Sequence, residues 1–481
     1  MDKTYLPTWN SLKSHPVPQW FKDAKFGIYT HWGIYCVPAQ GPNATWYPYN
    51  MYRPGTPQYD HHVKTYGGPQ AFGYKDFIPQ FRGEKFDADE WAEWFQRSGA
   101  QYAGPVAEHH DGFAMWDTAY SEWNAARMGP KRDVVGQLAQ AIRKQGLRFL
   151  TAFHHAENWW FYPHWQKDFD VADPRYAGLY GEAHNLEGPL KGNLYNNAFF
   201  DQDRPNKAFL ERWKAKMVEV VEKYQPDLIW YDFGLRAVPD AYKLDFLANY
   251  YNRETQWGRE VVVTYKDFDL APETGVVDLE LGRMTDLTYY PWITDSTVDD
   301  GEGWGYLRET GYKSPTALVH YLIDNVSKNG HLLLNIGPKP DGTFPEEAKT
   351  ILREMGQWLA INGEAIYGTT TWVRYGEGPG KITKGGAFNE KNVPTFTAQD
   401  IRFTVKDHAL YAICMGWPDA PLTIEALKML WPSEICSVRM LGVDQELEWS
   451  LSEQGMTITP PAHIPCAHAV VFKIERGSIF P

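Results

Sequence analysis

Asp232 is the residue of this chain that is best placed to do chemistry. It directly follows Leu228–Tyr231, an apolar and partly aromatic stretch that is typical of a buried strand. A carboxylate at the carboxyl end of a barrel strand adds little to stability, and this is the end at which barrel enzymes react. A helix cap or an ion pair with an arginine is the alternative interpretation. The residues that follow the other strands decide between the two.

Polar and aromatic residues also follow the other predicted strands. If the strands are parallel, their carboxyl ends meet at one face of a barrel, and the residues after them converge there. One histidine at a strand end is usually structural, whereas agreement among six strand ends favours a functional site. These residues are Thr30-His31-Trp32-Gly33 with Trp46-Tyr47, Glu108-His109-His110-Asp111, His154-His155-Ala156-Glu157, Asp232, Tyr265-Lys266-Asp267, and Glu280 with the later Trp304.

Two chemistries fit such a set. The histidines could bind a metal, but the adjacent His109 and His110 point to opposite sides of an extended segment. The sequence contains no His-x-His or His-Glu-x-x-His motif, so we expect no metal. The second chemistry is a pair of carboxylates acting on a glycoside, which retaining enzymes hold ~5–5.5 Å apart. Asp232 and Glu280 follow the fourth and sixth predicted strands, whose ends can meet across a barrel mouth.

Alternating strand-like and helix-like segments predict the elements that position these residues. The pattern predicts a (β/α)8-like barrel with a boundary after residue 372, because such alternation produces parallel β/α units. Asp87 resembles a helix N-cap and Gly99 a helix stop. Seven strands are predicted, at residues 25–29, 101–107, 147–153, 228–231, 260–265, 275–279 and 331–336, with further helices at 134–145 and 207–224.

Residues 373–481 have a different pattern. A stretch rich in glycine and lysine at 376–392 predicts a loop, and short strand-like runs separated by turn residues follow it. This all-β pattern predicts a sandwich domain. Its predicted strands are residues 400–405, 409–415, 437–441, 456–458 and 469–474.

Composition limits the partners of the protein. A net charge of −13 without a basic run argues against nucleic acid, and no apolar stretch approaches the ~20 residues of a membrane span. The 21 Trp, 29 Tyr and 24 Phe residues favour either sugar stacking or an aromatic-rich core. The polar segment Met1 to His15 lacks a signal core, so we expect a periplasmic or secreted protein if a leader has been removed, and otherwise a cytoplasmic one. Oligomeric state and disulfide pairing cannot be read from the sequence.

Several ungapped blocks, in order, resemble the α-L-fucosidases of glycoside hydrolase family 29. The resemblance runs from about Trp20 to Trp372, and the strands after Asp400 are similar to that family's C-terminal β-sandwich. The blocks are residues 26–33 with Val37-Pro38-Ala39, residues 109–113 with Trp116-Asp117, residues 228–232, and residues 330–342.

The resemblance implies a retaining exo-hydrolase that removes terminal α-L-fucose from oligosaccharides or glycoconjugates without a metal or organic cofactor. Asp232 falls on the family's nucleophile. The remaining residues expected to contact the sugar are His31, Trp46, His109, His110, His155, Trp230, Lys266 and Trp304. Imidazoles can hydrogen-bond ring hydroxyls, and aromatic rings can hold the C5 methyl group of fucose.

The acid/base is expected at Glu280, because residues 278–283 resemble the Asp-x-Glu-Arg-Gly-type motif of one branch of the family. That role needs a raised pKa, from burial or from a neighbouring carboxylate. Glu273 lies on a loop where another branch carries its acid, and it is the second candidate. A salt bridge from Glu280 to Arg283 and a merely exposed Glu273 are the structural alternatives.

Three departures from the family pattern widen the range of substrates. Thr45 and Ile293 stand where glutamates are common, and His154 with His155 stands where a tyrosine is common. A substituted fucoside or an α-L-galactoside is therefore an alternative substrate. A catalytically weakened fucose-binding protein and a metal-dependent hydrolase on the same barrel are the alternatives from other classes.

Overall fold

The computed structural model describes residues 4–192, 197–267, 269–301 and 303–477. Eight parallel strands form a closed barrel in chain order, each paired with its neighbour and the last with the first. The predicted barrel is confirmed. The strands are β1 (Phe26–Thr30), β2 (Tyr102–Glu108), β3 (Arg148–Phe153), β4 (Leu228–Tyr231), β5 (Val262–Lys266), β6 (Val276–Asp278), β7 (Trp292–Thr297) and β8 (Gly330–Ile336).

Helices surround the barrel and pack on its strands. Those of ten residues or more in the described ranges are α1 (Pro57–Tyr66), α2 (Ala88–Arg97), α3 (Val134–Lys144), α4 (Lys207–Tyr224), α5 (Asp240–Trp257), α6 (Pro315–Ser327) and α7 (Glu346–Asn362). Shorter α-helical turns span Trp9–Leu12, Gln19–Ala24, Tyr47–Asn50, Asn158–Phe161, Ala177–Tyr180 and Asn197–Phe200. No helix in the described ranges is both long enough and apolar enough to cross a bilayer.

Local sequence signals determine where α2 begins and ends. The Asp87 carboxylate accepts hydrogen bonds from the backbone N–H groups of Asp89 and Glu90, at 2.9 and 3.2 Å, so it is the predicted N-cap. The helix ends at Arg97, and Gly99 then adopts a left-handed φ of 89°. The two ends fix the entry of the chain into β2, whose following loop carries His109 and His110.

The strand β7 is the barrel element that the sequence pattern missed. Its sequence, Trp-Ile-Thr-Asp-Ser-Thr, is mostly polar, yet every residue of the strand is buried. The polar side chains are satisfied inside the protein: the Thr294 hydroxyl donates to Leu279 O at 2.6 Å, and Asp295 pairs with Lys266 at 2.6 Å. A strand that buries polar groups in such bonds carries no alternation of apolar and polar residues.

The C-terminal domain consists of two antiparallel sheets. One sheet has the order β13-β16-β11-β10-β9 and the other β12-β15-β14, and their facing side chains form one core. This is the predicted sandwich. Its strands are β9 (Thr370–Glu377), β10 (Ile401–Lys406), β11 (Ala409–Cys414), β12 (Leu422–Ile424), β13 (Ile435–Met440), β14 (Trp449–Ser452), β15 (Gly455–Ile458) and β16 (Val470–Arg476).

The two domains share a buried polar junction. Trp358 of α7 donates from Nε1 to Ala469 O at 2.8 Å, and Arg402 of β10 pairs with Asp324 of α6 at 2.7 Å. The predicted division after residue 372 falls inside β9, which pairs with β10. The loop between β9 and β10 leaves the sandwich and contacts the barrel before it returns to β10, because Gly386 pairs with Arg283.

Candidate active site

The site residues continue the barrel ladder beyond the strand ends. The Asp232 N–H donates to Phe153 O at 3.1 Å, and the His154 N–H donates to Glu108 O at 3.0 Å. The His31 N–H likewise donates to the last residue of β8 at 3.1 Å. These bonds fix the backbone of each residue, so the side chains are held on rigid strands at the carboxyl face of the barrel.

A pocket at this face gathers residues from six of the eight strands or the loops after them. It holds most of the predicted site residues, and its lining is dominated by imidazole, indole and carboxyl groups. The lining residues are Tyr29, His31, Thr45, Trp46, His109, His110, His154, Glu157, Trp230, Asp232, Phe233, Glu280, Asp295 and Trp304.

Asp232 is held in its ionised form. Its Oδ2 lies 3.3 Å from His110 Nε2 and 3.9 Å from His154 Nε2. Burial acts to raise the pKa of Asp232, but the hydrogen bond and the charge of His110, with the charge of Lys266, outweigh it and hold that pKa below its usual value. An ionised carboxylate with 12% of its side chain exposed is equipped to act as a nucleophile.

Glu280 has the opposite protonation. Burial, with the nearby charges of Asp295 and Asp232, raises the pKa of Glu280 to about 8, although Lys266 opposes the shift. The Lys266 ammonium lies 3.3 Å from Glu280 Oε2 and also pairs with Asp278 at 3.3 Å. The predicted raised pKa of the acid/base is present, and Glu280 does not pair with Arg283, which contacts Asp324 instead.

The cation beside Asp232 is His110. Its Nδ1 donates to His154 O at 2.7 Å, and its Nε2 faces both Asp232 and Glu157, the latter at 3.5 Å. Burial alone would lower the pKa of His110, but Glu157 and Asp232 raise it to about 9. His110 is therefore an imidazolium that keeps Asp232 ionised and is within reach of a bound hydroxyl.

Three other histidines are neutral. Burial lowers the pKa of His31 to about 4 and lowers that of His109 and His154 well below the ordinary value. His31 donates from Nδ1 to Asn335 Oδ1 at 2.8 Å, so its Nε2 accepts from His154 Nε2 at 3.1 Å. These two hydrogen bonds fix the tautomers of His31 and His154. The Nδ1 atoms of His109 and His154 have no hydrogen-bond partner within the protein.

Among the residues that the structure describes, the same three histidines are the group whose spacing could hold a metal ion. One ring nitrogen from each of His31, His109 and His154 lies within 4.8 Å of the others. Imidazole nitrogens suit zinc or copper, but a metal here would have to break the bond that joins His31 to His154.

Aromatic rings wall the pocket. Trp46 contacts the His110 ring, with centroids 5.5 Å apart, and Trp304 contacts the His31 ring at the same distance. Trp230 is 1% exposed, donates from Nε1 to Asp278, and lies 4.6 Å below the Lys266 ammonium. Each Trp therefore both packs and presents a face to the pocket.

Two predicted residues do not lie in the pocket, and a third lies beneath it. His155 turns away to contact Trp213 O at 3.3 Å, because a 3-10 turn begins at residue 155, so the prediction for His155 is wrong and His154 lines the pocket instead. Glu273 is exposed before β6, at the opposite end of the barrel, which excludes it as the acid. Lys266 is fully buried under the carboxyl groups rather than lining the pocket.

The sequence analysis gave no role to two buried acids, Glu157 and Asp295. Glu157 lines the pocket, and burial raises its pKa to about 7. Glu157 follows β3, and this position after a strand is the sequence signal that could have assigned it to the site. Asp295 lies inside β7, which the sequence pattern did not predict, so no such signal pointed to it. Of the departures, Thr45 lines the pocket and donates to Asn43 Oδ1 at 2.8 Å, whereas Ile293 packs in the barrel core.

A closed parallel barrel that holds two carboxyl groups of opposite protonation in one pocket is the arrangement that a retaining glycoside hydrolase of the barrel class needs. Comparison with known proteins gives the family. A profile described as alpha-L-fucosidase matches residues 1–364, and one described as alpha-L-fucosidase C-terminal domain matches residues 395–475. The chain belongs to the α-L-fucosidase family, which confirms the predicted family and enzyme class.

Named relatives cover nearly the whole chain. Rat tissue alpha-L-fucosidase is 30% identical over 98% of this chain and 93% of its own sequence. Human plasma alpha-L-fucosidase is 32% identical over 96% of this chain and 90% of its own. The chain is also similar to the crystal structure of Thermotoga maritima alpha-fucosidase in complex with a mechanism-based inhibitor. The two sequences are 31% identical, and the structures match with a TM-score of 0.78 over 98% of this chain and 100% of that chain.

Proposed function

We propose that Asp232 and Glu280 carry out the removal of terminal α-L-fucosyl residues by double displacement. The observation that carries the proposal is the pair of carboxyl groups in one pocket, one ionised and one protonated. Two groups with opposite pKa shifts are what a retaining glycosidase needs for its nucleophile and its acid.

The reaction has two steps. Asp232 attacks the anomeric carbon as Glu280 gives its proton to the leaving oxygen, which forms a fucosyl-enzyme ester. Glu280, now ionised, takes a proton from water, and the water oxygen displaces Asp232 from the anomeric carbon. Lys266 stabilises the ionised form of Glu280 between the two steps, because its ammonium lies 3.3 Å away.

The residues that hold the sugar are proposed from their place in the pocket. His31, His109 and His154 are neutral imidazoles that can exchange hydrogen bonds with ring hydroxyls, and His110 is a cationic donor. Trp46, Trp230 and Trp304 supply apolar faces for the C5 methyl group and ring carbons. We replace His155 by His154 in this set and add Glu157 as a hydroxyl acceptor.

The test is hydrolysis of the 4-nitrophenyl α-L-fucoside with and without a chelator, beside two variants. We expect chelation to leave the rate unchanged and Asp232→Gly to lower kcat by at least about 10³-fold. Added azide should then separate the roles by product stereochemistry. Azide that replaces Asp232 attacks opposite the leaving group and gives the β-azide, whereas azide that attacks the ester formed in Glu280→Gly gives the α-azide.

Glu273→Gln is the matched control, since that acid lies at the other end of the barrel, and it should retain the wild-type rate. Full turnover by Asp232→Gly would refute the nucleophile assignment, and loss of activity on chelation would favour a metal-dependent hydrolase. Fucose binding without any turnover would favour the weakened binding protein. A larger kcat/KM for the α-L-galactoside than for the α-L-fucoside would assign the pocket to the alternative sugar.

A further inference from the structure

The loop between β9 and β10 of the C-terminal domain reaches the rim of the active site. The Phe388 N–H donates to Glu280 O at 2.7 Å, and the Glu390 N–H donates to Leu281 O at 2.7 Å. The Glu390 carboxylate accepts from Ser296 of β7 at 2.8 Å and from Lys313 at 2.7 Å. The segment is thus fastened to the backbone of the residue that acts as the acid.

These bonds present the Phe388 side chain at the surface. Its ring is 58% exposed and lies nearly parallel to that of Phe233, at 13° and with centroids 6.4 Å apart. Phe388 has a φ of 57°, a left-handed conformation that a bulky residue rarely adopts. Backbone strain combined with an exposed apolar ring indicates a constrained functional position more than a packing residue.

Phe233 and Phe388 border a second cavity of about 100 Å³. Phe200, Glu157, Arg236 and Asp267 also line it. Glu157 and Phe233 line the carboxylate pocket as well, so the two cavities are adjacent. Because Phe233 follows the nucleophile in sequence and Phe388 is bonded to the acid, the second cavity lies where a leaving group would depart.

The charges of this cavity disfavour an anion. Arg236 is engaged by Asp269 at 2.9 Å and by Asp267 at 3.6 Å, and Glu157 adds another acid to the wall. Among the described residues that line the cavity, Arg236 is the one cation, and it is already paired with Asp267 and Asp269, so a sulfate or carboxylate would gain little from its charge. A neutral sugar can place a C–H face on an aromatic ring and its hydroxyls on Arg236 and Asp267.

We propose that Phe388 and Phe233 form the leaving-group subsite, and that it takes an uncharged sugar and disfavours a sulfated one. The inference rests on the proposed function, since it names the group to which the cleaved fucose is attached. It also assigns a role in substrate choice to the β9–β10 loop of the C-terminal domain.

The experiment compares two kinds of substrate in Phe388→Ala. We expect kcat/KM for neutral fucosyl disaccharides to fall roughly tenfold, because the aromatic contact is lost. Hydrolysis of α-L-fucosyl fluoride, which has no leaving sugar, should stay within about twofold of the wild type, since no such contact is made. Phe388→Trp should retain the disaccharide rate, and Trp431→Ala, at an exposed aromatic ring of the β domain, should change neither rate.

The charge preference is tested with a disaccharide whose leaving sugar is sulfated. Its kcat/KM should be at least about tenfold below that of the neutral disaccharide and should rise in Asp267→Asn. The subsite would be overturned if Phe388→Ala lowered kcat/KM equally for the disaccharide and the fluoride, or did not lower it for the disaccharide. It would also be overturned if the wild type hydrolysed the fluoride but no neutral disaccharide. Equal rates for sulfated and neutral sugars would overturn the preference. Failure of the wild type on the fluoride itself would instead overturn the proposed function.

Discussion

At the residue scale, the different protonation of two similar carboxyl groups in the pocket depends on what surrounds each of them. Asp232 faces the cationic His110, whereas Glu280 is buried near two other acids and only one lysine. The first environment favours the charge and the second opposes it. Asp232 directly follows β4 and Glu280 lies two residues after β6, so the position at a strand end indicated both residues in the sequence.

The pH dependence of kcat/KM follows from these two shifts. In the proposed mechanism, activity requires Asp232 ionised, so it rises with pH through a pKa below the usual range of an aspartate. It also requires Glu280 protonated, so it falls as the pH rises through about 8. A pH profile with a good leaving group should therefore lose its alkaline limb in Glu280→Gln, and an unchanged limb would assign that proton to another group.

Glu157 is the second acid of the pocket with a raised pKa, so its role must be separated from that of Glu280. If Glu157 accepts a hydrogen bond from a sugar hydroxyl, Glu157→Gln should lower kcat/KM by about the same factor, roughly tenfold, for good and poor leaving groups. Glu280→Gln should lower it roughly 10²–10⁴-fold for a poor leaving group and much less for a good one. A series of substituted phenyl fucosides measures this dependence. A steep dependence in Glu157→Gln alone would make Glu157 the acid.

At the element scale, the sequence predicted seven of eight barrel strands but not β7. Strands such as β4 and β8 are apolar runs, whereas β7 buries a threonine, an aspartate, a serine and a second threonine. Their partners come from distant segments such as Lys266 and Glu390, so no local pattern reveals them. The choice of His155 over His154 failed for a related reason, since the strand ends at Phe153 and a turn follows at once.

The missed strand completes a charge cluster that spans β5, β6 and β7. Lys266 lies among Asp278, Asp295 and Glu280 with no exposed side-chain surface. Lys266→Met should lower the free energy of unfolding by roughly 3–5 kcal/mol, because it leaves buried carboxyl groups without their cation. It should also move the alkaline limb of kcat/KM above about pH 8, since Lys266 lowers the pKa of Glu280.

Denaturant unfolding and the pH profile together check this expectation. Lys243→Met is the matched control, because Lys243 is buried on α5 and pairs with Asp240 away from the pocket. The control should lose stability without any shift of the alkaline limb. A limb that stays in place in Lys266→Met would show that the lysine does not control the protonation of Glu280.

At the scale of the whole molecule, the two domains were predictable as patterns, but their junction was not. Asp324 of α6 accepts from Arg402 of β10 at 2.7 Å and from Lys328 at 2.8 Å, and it lies 3.5 Å from Arg283. All four residues are buried, and Arg283 and Arg402 are far in sequence from the pair Asp324 and Lys328. Such a network is visible only after the chain has folded.

This network should make the stability of the molecule depend on one carboxylate. Burial acts to raise the pKa of Asp324, but Lys328, Arg402 and Arg283 lower it to about 2. A lowered pKa in the folded state stabilises the protein above the ordinary carboxyl range, and the stabilisation is lost as the pH falls through about 2. The shift is worth about 2 kcal/mol at neutral pH, by order of magnitude.

Asp324→Asn should therefore cost roughly 3–5 kcal/mol at pH 7, because three buried cations lose their counterion. Calorimetry should show the barrel and the β domain unfolding in separate transitions, since the junction between them is weakened. The acid-dependent part of the stability should also disappear in this variant. Glu446→Gln, which breaks an exposed pair with Arg439, is the control and should cost less than about 1 kcal/mol. One transition at the wild-type midpoint in Asp324→Asn would mean that the domains are held together by apolar contacts alone.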